Sequence, residues 1–202
     1  MFKLGVLASG RGTNLQSIID SIEDDKLKAE IAIVISDREN AYALERAKQH
    51  SIDTSFINPK NYNSKEEYEK ELIDLLRDKG VELVIMAGFM RILTPFFISH
   101  FKRKIMNIHP SLLPAFPGLN AQAQAFKYGV KVTGCTVHFA DEGMDTGPII
   151  MQSAVEVKDN DDQESLAARI LEEEHKIFPE AINLFIEDRL KIEGRKVKIL
   201  EI

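Results

Sequence analysis

Asn107 and His109 stand two residues apart at the end of the run Lys104-Ile-Met-Asn-Ile-His, and Pro-Ser-Leu-Leu-Pro-Ala-Phe-Pro-Gly118 follows directly. If the run is a strand, alternate residues share a face, so both polar side chains project together. The asparagine amide offers N–H donors, and histidine can donate, accept or act as an acid near neutral pH. Prolines at 110, 114 and 117 stiffen the loop that follows. Further on, Asp145 lies in the glycine-rich stretch Asp141-Glu142-Gly143-Met144-Asp145-Thr146-Gly147. A carboxylate placed beside a histidine fixes its tautomer and favours its charged form. A turn aspartate is the other reading of Asp145, and spacing alone does not bring it to His109.

A second candidate opens the chain. Ser9-Gly10-Arg11-Gly12-Thr13-Asn14 follows an apolar run and precedes a helical pattern. Glycines allow close backbone approach, and the unpaired N–H groups of a helix start attract an anion such as phosphate. Leu15 stands where a dinucleotide fingerprint requires a third glycine, and no Gly-Lys-Ser/Thr follows. A tight strand-to-helix turn and a phosphate loop both fit.

The remaining reactive residues read as structural. His50 and His100 fall near helix ends, and His138 lies within a strand. Cys135 sits in an apolar strand with no activator beside it. The run Glu172-Glu173-Glu174-His175 reads as a solvated helix face from which one carboxylate could turn inward. Neither a G-x-S-x-G nor an H-E-x-x-H motif occurs, and the five histidines are scattered, so no metal is expected.

The elements that must position these residues alternate. Strands are predicted at 2–8, 30–36, 54–57, 82–87 and 104–108. Helices are predicted at 14–22, 41–49, from Ser64 (a capping box with Glu67) to Gly80, and from Thr94-Pro95. The pattern implies βαβ units, and apolar strands such as 31–35 suit a mainly parallel sheet covered by helices on both faces. Ligands then gather at the carboxyl ends of strands, which selects 9–14, 88–93 and 107–118. The second half predicts strands at 131–140 and 148–157. A helix over 162–188 with a kink or break at Pro179 follows, then a hairpin turning at Glu193-Gly194.

Composition narrows the class. A length of 202 residues points to one domain, residues 1–202, large enough to fold without disulfide or metal support. One cysteine rules out a disulfide-built fold. A net charge of −6 disfavours a nucleic-acid binder. No apolar run reaches the roughly 18 residues of a membrane span, and the N-terminus does not read as a signal peptide, so a cytoplasmic protein is expected.

Taken in order, SGRGTN-LQSII, AGFMRIL, NIHPSLLPAFPG and DEGMDTGPI resemble the phosphoribosylglycinamide formyltransferases over roughly residues 2 to 190. The resemblance implies a Rossmann-like formyltransferase fold. Its N-terminal half would bind the ribonucleotide phosphate and its C-terminal half mainly folate. It implies 10-formyltetrahydrofolate as co-substrate and no metal. Asn107, His109 and Asp145 match the catalytic trio. Gly12, Thr13, Asn14 and Glu174 match ribonucleotide-binding positions. Lys65, Met90, Arg91, Ile92, Leu93, Asn107 and the loop Asp141, Glu142, Gly143 and Met144 match folate-binding positions. Lys65 replaces an arginine found in some members, keeping the charge without the forked geometry. Asn120 replaces a histidine of many relatives.

The partners implied are two small molecules, with no nucleic acid or membrane, and the assembly a monomer or homodimer. Methionyl-tRNA formyltransferase and formyltetrahydrofolate deformylase are the rival formyl enzymes. The first is expected to carry a C-terminal RNA-binding domain and the second an N-terminal regulatory domain. A non-catalytic folate- or nucleotide-binding module is the rival outside enzymes.

Overall fold

Apolar strands buried on both faces build the first part of this computed structural model, which describes residues 1–201. β1 (Phe2–Leu7) pairs in parallel with β2 (Ala29–Ser36) on one side and β4 (Leu83–Met86) on the other. β3 (Thr54–Phe56) extends β2, also in parallel. Leu4, Val6, Val34, Ile35, Val84 and Ile85 are wholly buried, as a sheet covered by helices requires. The helices are α1 (Thr13–Glu23), α2 (Tyr42–Gln49), α3 (Lys65–Asp78) and α4 (Pro95–His100), with a 3₁₀ turn at Pro59–Asn61. β5 (Ile105–His109) begins where Lys104 C=O accepts from Val84 N–H at 2.9 Å.

Local caps follow the sequence with two changes. Ser64 Oγ accepts from Glu67 N–H, but the Glu67 carboxylate reaches Asn63 N–H rather than the Ser64 amide, so the box closes one residue early. Gly80, at φ 70°, ends α3 as expected. Thr94 stands at the N-cap of α4 but makes no capping bond. Its hydroxyl and its N–H both go to the carboxylate of Glu69, which is 3% exposed.

Contacts gather into two units, 1–106 and 107 onward, where the sequence shows a single stretch. The boundary falls inside β5, where no change of composition marks it. In the second unit β6 (Val132–Phe139) and β7 (Ile149–Glu156) are antiparallel. β8 (Leu190–Glu193) and β9 (Lys196–Ile199) form the predicted hairpin, and β9 joins β7 in parallel through Ile149 and Lys196. α5 (Ala121–Tyr128), not foreseen, is bounded by left-handed Asn120 (φ 56°) and Gly129 (φ 83°). α6 (Gln163–Ile186) starts at a capping box of Asp162 and Ser165 and runs unbroken through Pro179, where a kink or break was expected. Proline removes one backbone bond there, but Leu166, Ile170, Phe178, Ala181 and Ile182 are wholly buried around it. Packing outweighs the local loss. Phe178→Ala should therefore destabilise the protein by about 3–5 kcal/mol in urea denaturation. A loss below about 1 kcal/mol would remove this account of α6.

Candidate active site

The loop between β5 and α5 carries the geometry. Thr136 on β6 is wholly buried. Its hydroxyl donates to Ser111 C=O at 2.7 Å and accepts from Leu113 N–H at 3.0 Å and Gln152 Nε2–H at 2.9 Å. Gln152 also donates to Leu113 C=O, and the Ser111 hydroxyl donates to Ala115 C=O at 2.5 Å. This mesh fixes residues 111–116 from beneath. The loop then offers two backbone groups to the site. Phe116 C=O faces His109 Nε2 at 2.9 Å, and Gly118 N–H donates to Asp145 Oδ2 at 2.8 Å.

His109 is 4% exposed, and its Nδ1 lies 3.4 Å from Asp145 Oδ2. Both ring nitrogens therefore lie beside oxygens, Nε2 at the Phe116 carbonyl and Nδ1 at the Asp145 carboxylate. Asn107 and His109 do share one face of β5, as the two-residue spacing predicts. Asp145 meets His109 as the resemblance implies.

His138 also belongs to the cluster, contrary to its structural reading. Its Nδ1 donates to Phe139 C=O at 2.9 Å. Its Nε2 lies 3.1 Å from Asn107 Nδ2 and 3.7 Å from Asp145 Oδ1. One ring nitrogen thus faces both the Asn107 amide and the Asp145 carboxylate, tying the two side chains to His138. The signal available in the sequence was a histidine within an apolar strand; only the pairing of β6 with β7 and the return of the 141–147 loop bring it to Asn107 and Asp145.

Burial alone would raise the Asp145 pKa. The hydrogen bond from His138, the Gly118 N–H and the charges of both histidines outweigh it, and the carboxyl ends below its ordinary 3.8. Asp145 itself has a left-handed backbone, φ 55°. Asp141 is turned into its own loop: Oδ1 accepts from Gly143 N–H and from the Thr146 hydroxyl at 2.6 Å. Glu142 and Gly143 are exposed and Met144 is 49% exposed. Glu174 on α6 is 5% exposed, the one carboxylate of its acidic run that turns inward.

The other predicted residues lie in the first unit. Gly12 is the N-cap of α1 with φ 71°, and a Cβ there would come within 2.7 Å of Ala43 Cα. Glycine is required on both counts. The loop is pinned from α2: Ala43 N–H donates to Gly10 C=O, and Arg46 Nε donates to Arg11 C=O at 2.9 Å. Thr13 and buried Asn14 open α1, where first-turn amides have no intrahelical acceptor. Ser9 ties this loop to the 88–93 segment. Its hydroxyl donates to Asp37 at 2.6 Å and accepts from Met90 N–H at 2.9 Å. Arg91 lies over the Tyr68 ring at 5.2 Å and 4.0 Å from Asp37. Met90 and Ile92 are 54% and 56% exposed, while Leu93 is buried. Lys65 is exposed at the start of α3.

Residues 2–182 match the model of the formyl transferase family. The chain is 44% identical over 182 residues to phosphoribosylglycinamide formyltransferase of Bacillus subtilis, covering 90% of this chain and 93% of that one. The chain belongs to the formyl transferase family, in its phosphoribosylglycinamide formyltransferase branch. Among solved family structures, glycinamide ribonucleotide transformylase 1 from Symbiobacterium toebii matches with a TM-score of 0.98 at 52% identity, covering 100% of this chain and 95% of that one. A formyltetrahydrofolate deformylase from Pseudomonas syringae pv. tomato shares the fold more distantly, with a TM-score of 0.91 and 28% identity over 99% of this chain and 66% of its own. Among the described residues, no helix is long and apolar enough to cross a membrane. No group of three or more His, Cys, Asp or Glu there could hold a metal ion.

Two outcomes test this geometry. A carboxyl whose folded pKa is depressed adds stability above its unfolded value, and that stability is lost as pH falls through the folded value. The stability advantage of wild type over Asp145→Asn should thus shrink as pH falls below 3.8. Urea titrations at several pH values read this directly, and a gap that does not change there would refute the ionic role of Asp145. Thr136→Val should destabilise by about 2–4 kcal/mol, since it leaves buried partners unsatisfied. Denaturant midpoints that coincide with wild type would count against the loop mesh.

Proposed function

We propose that this enzyme transfers the formyl group of 10-formyltetrahydrofolate to the amine of N1-(5-phosphoribosyl)glycinamide in purine biosynthesis, leaving tetrahydrofolate. The observation that carries the reading is the convergence of Asn107, His109 and Asp145, with the Asp145 carboxylate 3.4 Å from His109 Nδ1. The donors suit a formyl oxygen on which charge accumulates as the amine attacks. His109, with Nε2 held by Phe116 C=O and Nδ1 beside Asp145, stabilises that oxygen through its ring, joined by an N–H of the Asn107 amide. Asp145 stays ionised, orients the His109 ring, and accepts the amine proton for return to the leaving nitrogen. Cys135 takes no part: burial chiefly pushes its thiol up to about 12, so no thiolate is available there.

Gly12, Thr13 and Asn14 supply the phosphate site at the start of α1, and Glu174 contacts the ribonucleotide. The backbone of Met90, Arg91, Ile92 and Leu93 binds the pterin, with Lys65 towards the folate tail. Asp141, Glu142, Gly143 and Met144 cover the folate, with Asp141 also bracing their loop. The family match across residues 2–182 supports one formyltransferase domain. A cytoplasmic monomer or homodimer acting on two small molecules, without metal or nucleic acid, completes the reading.

Incubating the protein with 10-formyltetrahydrofolate and either the ribonucleotide, initiator methionyl-tRNA or water alone tests the acceptor. Tetrahydrofolate should appear only with the ribonucleotide, one formylated product per folate. Release in water alone would make the chain a hydrolase, and release with tRNA would move the acceptor. Asn107→Ala and His109→Ala should each lower kcat by about 10²- to 10³-fold with little change in KM. Unchanged turnover in both would withdraw the assigned roles.

A further inference from the structure

The hairpin of β8 and β9 lies beyond residues 2–182, the stretch the family model covers. Its tip nevertheless touches the loop that carries Asp145. Arg195 Nη2 donates to Thr146 C=O at 3.0 Å, across 49 residues of sequence. The hairpin is strongly basic, and several of its cations are engaged locally. Lys191 and Lys198 both pair with Glu193, and Arg189 pairs with Glu187. Arg195 pairs with no carboxylate among the described residues, so its charge is left for a backbone oxygen. The tip is also fixed in place. Lys196, next in the chain, pairs with Glu193 across the hairpin and with Ile149 on β7, two residues beyond the end of the 141–147 loop.

That loop needs holding. Asp145 adopts a left-handed backbone that a non-glycine residue enters at a cost and keeps only where its surroundings fix it. Inside the loop, Asp141 gathers Gly143 and Thr146. On one flank Gly118 N–H holds the Asp145 carboxylate. On the other, Gly147 abuts Phe139 C=O so closely that a Cβ would lie 1.7 Å from that oxygen. The Thr146 carbonyl is held from outside the loop, by Arg195.

We propose that Arg195 is a positioning residue for formyl transfer: the hairpin tip clasps the Thr146 carbonyl and thereby holds the Asp145 loop in its working conformation. The proposal rests on the formyl-transfer reading for its kinetic consequence but not for its structural one. Arg195 touches no reacting atom, so its removal acts through the loop. Lysine supplies one donor at that carbonyl without the planar fork, so it restores the clasp in part.

The test compares wild type, Arg195→Ala and Arg195→Lys by hydrogen exchange and by kinetics. In Arg195→Ala, amides of residues 143–147 should exchange about 10-fold faster, while β7 and β9 keep their protection. KM for 10-formyltetrahydrofolate should rise about 3- to 10-fold and kcat fall by less, with KM for the ribonucleotide unchanged. Arg195→Lys should recover part of both effects. Unchanged exchange at 143–147 in Arg195→Ala would overturn the clasp. So would equal loss of protection throughout the hairpin and β7 with both KM values raised, which would make Arg195 a general stabiliser. If wild type shows no ribonucleotide-dependent folate release, the formyl-transfer reading fails, and the exchange measurement still decides the clasp.

Discussion

A half-buried carboxylate that must stay charged organises the second unit. Asp145 cannot be desolvated without partners, and the fold supplies them from separate parts of the chain: Gly118 N–H, His109 and His138. Each partner arrives by a different route. His109 ends β5, His138 nears the end of β6, and Gly118 closes a loop whose course is set by the buried hydroxyls of Thr136 and Ser111 together with Gln152. Satisfying one charge thus gathers the side chains to which the reaction is assigned in the proposal.

The first unit solves a different problem, how to present backbone rather than side chains. The phosphate loop and pterin-facing segment proposed for it would both depend on N–H and C=O groups held in fixed directions. Here polar side chains are spent on scaffolding. Ser9 joins the two segments, Asp37 anchors Ser9, Arg46 holds the Arg11 carbonyl, and buried Glu69 receives the end of the second segment at Thr94. None of these contacts needs to touch a ligand to set where one binds.

How much of this could be read in advance depends on how local the determinant is. The β-strand period placed Asn107 and His109 on one face, and alternating apolar and helical patterns gave most elements to within a residue or two. Asp145 was visible only as a loop carboxylate until whole-chain resemblance tied it to the pair. His138 was missed because its environment is made by strand pairing and a returning loop, neither of which leaves a mark near position 138. Thr94 misled for a similar reason: a threonine before a proline looks like a cap, and a buried glutamate from α3 claims its hydroxyl instead. Asp141, a folate-binding position by resemblance, also braces its own loop through one carboxylate oxygen, a contact that spacing does not reveal. Pro179 fails to break α6 because the wholly buried face around it outweighs one missing bond.

The acceptor that holds His109 Nε2 is a main-chain carbonyl, that of Phe116. Every amino acid carries that oxygen, so no exchange of the side chain at position 116 can delete it. Information about the histidine's orientation is therefore stored away from the histidine, in whatever keeps residues 111–116 on their path. Mutational sensitivity should be displaced accordingly, low at the residue that makes the contact and high at Ser111, Thr136 and Gln152, which never approach the reacting atoms.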